Sequence, residues 1–325
     1  MKKLLAVLLA LTMALSLAAC GASETPAETE ESSEGAESFR VGILQYTEHV
    51  ALDSAREGFI DALEASGLEV EVDVQNAQAD QSNLTTIGQK FISDGCDLIL
   101  AIATPAAQSI AAQTTDIPIL ITAVTDPVDA NLVDSNEVPG GNISGTSDMN
   151  PVAEQIELLL QLAPETETVG LLYTSSEDNS ILQAAMAAEA AEAAGVAVVE
   201  QTVTSSNDVQ QAAQSLVGKC DAIYIPTDNI LAASMSLVGA VAIEAGIPIV
   251  CGESGMVSEG GLATLGINYY DLGYQTGEMA VEVLEGADIG AMPIETAEQF
   301  DFTINAEMVE ALGISVPEEL AQYVA

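Results

Sequence analysis

Six short polar stretches hold most of the side chains in this sequence that are suited to recognition, and each follows an apolar run. Tyr46-Thr47-Glu48-His49, Thr104-Pro105-Ala106 and Thr125-Asp126 lie in the first half; Thr174 to Ser180, Thr227-Asp228-Asn229 and Glu253-Ser254 lie in the second. Their chemistry is that of binding a small charged solute. Asp228, Asp126, Glu48 or Glu253 can take an ammonium group. Helix N-termini at Thr104 and at Asn179-Ser180 can offer N–H groups to a carboxylate. Tyr46 and His49 can flank a ring or an apolar side chain. The candidate ligand set is therefore Tyr46, Thr47, Glu48, His49, Thr104, Pro105, Ala106, Thr125, Asp126, Ser175, Asn179, Ser180, Asp228, Asn229 and Glu253.

Motifs for other chemistry are missing. The chain has one His, no Cys-x-x-Cys, no Gly-rich phosphate fingerprint and no Gly-x-Ser-x-Gly elbow, so no metal, cofactor or catalytic nucleophile is expected. Plain structural roles stay open beside the binding ones. Thr104 and Ser180 can cap helices, Asp126-Pro127 can make a turn, Asp228-Asn229 can be an N-cap, and Tyr269-Tyr270 can be hinge or cleft wall.

The loops are placed by a duplication. Val41-Gly42-Ile43-Leu44-Gln45-Tyr46 is echoed by Val169-Gly170-Leu171-Leu172-Tyr173-Thr174, with Gly42 and Gly170 separated by 128 positions, as are Gly67 and Gly195. Cys96-Asp97 and Cys220-Asp221 stand 124 apart, as do Thr104 and Asp228, and Pro118 and Pro248 stand 130 apart. A repeat of this length means two homologous lobes, not a solenoid of short units. Within each half, short apolar strands alternate with helical patterns, which predicts an α/β protein of two doubly wound parallel sheets with loops gathered at the strands' C-terminal edges. Residues 39–148 plus 270–292 are expected to form the first lobe, and 149–269 plus 293–325 the second.

The 325 residues, 49% apolar and 17% charged, suffice for two cores. Lys2-Lys3, the apolar run Leu4 to Leu17 and Leu17-Ala18-Ala19-Cys20 read as a signal peptide over residues 1–19 that ends in a lipobox, with Cys20 lipidated. Residues 20–38 contain no large apolar side chain before the end and read as a tether. The net charge of -44 sets the protein against nucleic acid and anionic headgroups. Cys96, Cys220 and Cys251 read as buried small hydrophobes.

Five ordered motifs carry a resemblance: Glu48-His49-Val50-Ala51-Leu52-Asp53, Ala103-Thr104-Pro105-Ala106-Ala107-Gln108, Thr122-Ala123-Val124-Thr125-Asp126-Pro127-Val128, Pro139-Gly140-Gly141-Asn142-Ile143-Ser144-Gly145 and Pro226-Thr227-Asp228-Asn229. Across the mature chain the sequence resembles the substrate-binding lipoproteins of ABC transporters in the tryptophan/tyrosine-binding group. It departs at Val50, where that family usually has Pro, and at Thr174-Ser175, where Asn-Pro is common. The resemblance implies a type I periplasmic-binding-protein fold joined by a hinge, an amino acid ligand of the aromatic class, and delivery to a permease and its ATPase. The expected protein is an extracytoplasmic, lipid-anchored monomer and not an enzyme. A ligand sensor for a signalling receptor, or a sugar or nucleoside binder of the same fold, are the alternatives.

Overall fold

The computed structural model describes residues 38–297 and 299–325. The signal segment, Cys20 and the tether up to residue 37 lie outside the described residues. Chain order begins with β1 (Phe39–Gln45), α1 (Val50–Ser66), β2 (Val70–Asn76), α2 (Gln81–Asp94), β3 (Leu98–Ile102), α3 (Thr104–Ala111), β4 (Ile119–Val124) and β5 (Ile143–Ser147). It continues through α4 (Val152–Leu162), β6 (Thr168–Thr174), α5 (Asp178–Ala193), β7 (Ala197–Val203), α6 (Val209–Leu216), β8 (Ala222–Ile225), α7 (Asn229–Ala232) and α8 (Met235–Ala245). Last come β9 (Ile249–Cys251), α9 (Ser254–Ser258), β10 (Ala263–Gly266), α10 (Tyr269–Leu284), β11 (Glu295–Thr296), β12 (Asp301–Ile304) and α11 (Ala306–Leu312).

Two six-stranded sheets result, ordered β11-β5-β4-β3-β1-β2 and β12-β10-β9-β8-β6-β7. The shared order is the repeat made visible. All pairings are parallel except β10 with β12. Strand order reverses beside β1 in one sheet and beside β6 in the other, and such switch points are where open α/β sheets hold ligands at the strands' C-terminal ends. Strands β3 and β4 are buried along their whole length, which is why their sequences read as unbroken apolar runs.

The chain passes between sheets three times: at Asp148 to Pro151, at Ile267 to Asn268, and between Thr296 and Asp301. The last crossing corrects one expected boundary. Glu295–Thr296 pairs with β5 in the first sheet, so residues 293–296 do not accompany the second lobe, and the tail splits into two strands serving different sheets. The helical stretch that follows β8 is two helices, parted at Ala233 and Ser234.

Helix α10 returns to cover the first sheet by lying directly on α1. Gly58 and Gly273 make that approach possible, because a methyl group at 273 would overlap the Ala55 carbonyl and one at 58 the Tyr270 carbonyl. Helix backbones this close leave no volume for a side chain. Gly273→Val is expected to lower the unfolding free energy by about 3 kcal/mol, the upper part of the overpacking range, as read from the urea midpoint. An unchanged midpoint would mean that the two helices separate without cost.

Candidate ligand-binding site

Between the lobes lies a narrow cavity. The first lobe and its crossovers contribute His49, Ala51, Leu52, Ala123, Thr125, Asp148 and Tyr269; the second contributes Asn179, Thr227, Asp228, Asn229, Ala232, Glu253 and Met256. Both lobes thus bring apolar side chains to the lining, among many acceptors.

The strand-end rule explains how these side chains get there. His49 is the N-cap residue of α1, immediately after β1, and its ring makes no cap bond. It reaches across the cleft instead, with Nε2 3.2 Å from Asn229 Oδ1. The Asn229 amide nitrogen is committed to Glu177 Oε2 at 2.5 Å, so Oδ1 accepts and His49 Nε2–H donates. Burial pushes the His49 imidazole down to about 4, which keeps it neutral, and its buried Nδ1 is left as an acceptor without a partner.

Each carboxylate is held by local donors. Asp228 caps α7 through Leu231 N–H at 2.9 Å and accepts from Thr174 N–H at 2.6 Å and Thr174 Oγ1–H at 2.8 Å. Glu253 caps α9 through the Gly255 and Met256 amides, the second at 2.8 Å. Asp148 accepts from Thr125 Oγ1–H at 3.1 Å and Tyr269 O–H at 2.6 Å. Behind them, Glu177 takes three N–H donors from Asn179 and Asn229 on Oε2, while its buried Oε1 has none. Burial raises the pKa of all four carboxyls, to about 7 for Glu253, and the nearby Asp228 carboxylate raises Glu177 further.

No cation answers these charges. Of the four basic residues in the described chain, Arg40, Arg56, Lys90 and Lys219, none lines the cavity. Asn179 Oδ1 adds one more buried, unpaired acceptor, since its amide nitrogen donates to Thr227 O at 2.8 Å. Backbone strain marks the same place. Ala103 at the end of β3 has φ +84° and Ala123 in β4 has φ +55°, conformations an alanine holds at roughly 1–3 kcal/mol each and which cluster at ligand clamps.

Among the candidates read from sequence, His49, Thr125, Asn179, Asp228, Asn229 and Glu253 line the cavity. Tyr46, Thr47, Thr104, Ala106 and Ser180 are buried without lining it, and Pro105 is half-buried. The Tyr46 phenol is still near enough to Glu177 and Asp228 for their charges to add to the upward push of burial on its pKa. Thr104 is the first residue of α3 and not its cap, which is Ala103, and its buried Oγ1 has no partner. Glu48 is exposed at the outer rim with Ser236 and Glu259. Two candidates belong elsewhere. Asp126 closes a turn by accepting from the Val128 and Asp129 amides, and Ser175 is exposed with its hydroxyl on Val203 O at 3.3 Å. Asp148 lies outside the stretches read from sequence, and Thr227 and Glu177 fall within them without being named as ligands; of the pair read as hinge or cleft wall, Tyr269 lines the cavity beside the second crossover, whereas Tyr270 is turned outward to Asp61.

Glu253 makes the electrostatics testable. A carboxyl that titrates near 7 when folded and near 4.5 when unfolded carries a proton only in the folded protein between those values. Its favourable contribution is present below the unfolded value and is lost as pH rises to about 7. Glu253→Gln is therefore expected to gain stability relative to the parent between pH 4.5 and 8, read from urea midpoints. A parent-to-variant difference that does not change with pH would contradict a protonated Glu253.

The lobes are shut on this cavity: besides His49 to Asn229, Gln183 Nε2 donates to Thr125 Oγ1 at 3.1 Å and Gln108 Nε2 to Asp178 Oδ2 at 2.7 Å, each across the cleft. The chain is 46% identical over 278 residues to a tyrosine-binding protein from Clostridioides difficile strain R20291, covering 84% of this chain and 81% of that one. It superposes with a TM-score of 0.86 and 37% identity on an ABC domain from Streptococcus pneumonia in complex with L-Trp, covering 89% of this chain and all of that one. The ligand-free, open structure of a substrate-binding protein with adhesive properties from Clostridium difficile is 46% identical yet superposes at only 0.68, over 88% of this chain and 98% of that one. Lower overlap at higher identity is what a difference in lobe closure produces. Residues 40–325 match the ABC transporter substrate binding protein family, and the chain belongs to that family.

Proposed function

We propose that this protein binds an aromatic amino acid, of the tyrosine and tryptophan class, as a zwitterion between its lobes and delivers it to an ABC permease and its ATPase. The observation that carries the reading is the concentration of buried acceptors without a cation around one cavity. An α-ammonium brings three N–H donors and a positive charge to such a site, and charge-assisted bonds to buried carboxylates are among the strongest available. Leu52, Ala123, Met256 and the Tyr269 ring supply apolar surface for a side chain. The aromatic class comes from the relatives, which are named for tyrosine and hold L-Trp. Both walls come from one chain, which favours a monomer as the binding unit.

Members of this family work outside the cytoplasm, and no helix among the described residues is long and apolar enough to cross a membrane. We place the anchor on Cys20, from the basic start, apolar run and Leu-Ala-Ala-Cys ending of the leader. Cys20→Ala is expected to move the protein from the membrane fraction to the medium and to abolish incorporation of labelled palmitate. Retention of the label by the variant would remove Cys20 as the attachment site.

Binding is checked by calorimetry and thermal shift with L-tyrosine, L-tryptophan, L-phenylalanine, L-leucine and glucose. The aromatic amino acids should stabilise the protein, by about 2.7 kcal/mol at 100 times the Kd. N-acetyl-L-tyrosine, which keeps ring and carboxylate but lacks the cation, should bind at least ~100-fold more weakly. Equal affinity for the acetylated compound would sink the ammonium reading, and a response to glucose alone would replace the ligand class.

A further inference from the structure

One inter-lobe bond lies deeper than the others. Gln183, on α5 and fully buried, donates Nε2–H to Thr125 Oγ1 of the first lobe at 3.1 Å and to Thr227 Oγ1 of its own lobe. Its Oε1 faces the Thr227 amide at 3.4 Å. Thr125 passes its own hydroxyl proton to Asp148 Oδ1, and Asp148 Oδ2 accepts from Tyr269. Asp148 opens the first crossover and Tyr269 follows the second. A continuous buried chain of hydrogen bonds thus runs from the second lobe's Thr227 loop through Gln183 and Thr125 to the first two of the three crossovers. Thr227, Thr125, Asp148 and Tyr269 line the cavity; Gln183 does not.

Of the links in that chain, only Gln183 to Thr125 joins lobe to lobe. The Gln183–Thr227 pair lies inside the second lobe, and Thr125, Asp148 and Tyr269 stay together at the edge of the first. Opening the cleft therefore breaks one bond and leaves the others standing. We infer that Gln183 is a positioning residue for ligand retention: by bridging to Thr125 it holds the lobes shut over a ligand it does not touch, and so sets how long that ligand stays. The inference rests on the reading that the cavity holds an aromatic amino acid. A ligand enters the open form and must wait for opening to leave, so a bond present only in the closed form acts on dissociation and not on association.

The test is stopped-flow binding of L-tyrosine to the parent, Gln183→Met, Thr125→Val and the double variant. Met keeps the length and apolar stem of Gln and removes both donors. Gln183→Met should raise the dissociation rate about tenfold, the size expected for one buried hydrogen bond, and leave the association rate within about twofold. Because Thr125→Val removes the same bond from the other side, the double variant should dissociate little faster than the more affected single variant. Additive effects would show that Gln183 acts only inside its own lobe, and parental dissociation rates or a slowed association would equally overturn the inference. A parent that binds neither L-tyrosine nor L-tryptophan would instead overturn the ligand reading beneath it, and this inference with it.

Discussion

Carboxyl groups buried without a positive partner are the constraint from which the rest of this structure follows. Asp148, Asp228 and Glu253 face one small cavity and Glu177 stands just behind. An ionised carboxylate removed from water is costly unless paired or well supplied with hydrogen bonds. The fold meets part of that cost locally. Asp228 and Glu253 each sit at a helix N-terminus, where free amides and the helix dipole favour a carboxylate, and Asp148 is held between a threonine and a tyrosine hydroxyl. On the proposed reading, what these donors leave unsatisfied is met by the ammonium group of the ligand.

Placing such a cluster between two separately folded lobes, and not inside one, makes its burial conditional. Each lobe has its own apolar core. When the lobes part, the carboxylates regain water; when they close, burial raises their proton affinity and a ligand's ammonium can take the proton's place. On the proposed ammonium reading, closure and ligand charge are coupled through desolvation. The close packing of α10 on α1, made possible by Gly58 and Gly273, ties the second crossover to the first lobe.

Much of this was legible in the order of residue types. Buried parallel strands must be short apolar runs, so Leu98–Ile102 and Ile119–Val124 announce themselves, and a polar loop after such a run must lie at the sheet's C-terminal edge. That logic reached His49, Thr125, Asp228 and Asn229. It failed at Asp126 and Ser175, which sit at the same edge but spend their polar groups on nearby backbone. It also passed over Gln183, which lies a turn inside a helix, and Asp148, where a strand turns into a hinge, because neither follows the pattern of an apolar run opening into a polar loop.

The sequence by itself determined the duplication, the two doubly wound sheets, the family and the set of loops from which a site had to be drawn. Local periodicity and turn chemistry are enough for those, since they depend on neighbours along the chain. Only the tertiary structure decided which side chains of each loop point inward, that Glu295–Thr296 returns to the first sheet, and that acceptors from both lobes converge without a cation. Those outcomes depend on how two separate lobes close against each other, a relation between residues as far apart as His49 and Asn229 that no local pattern encodes.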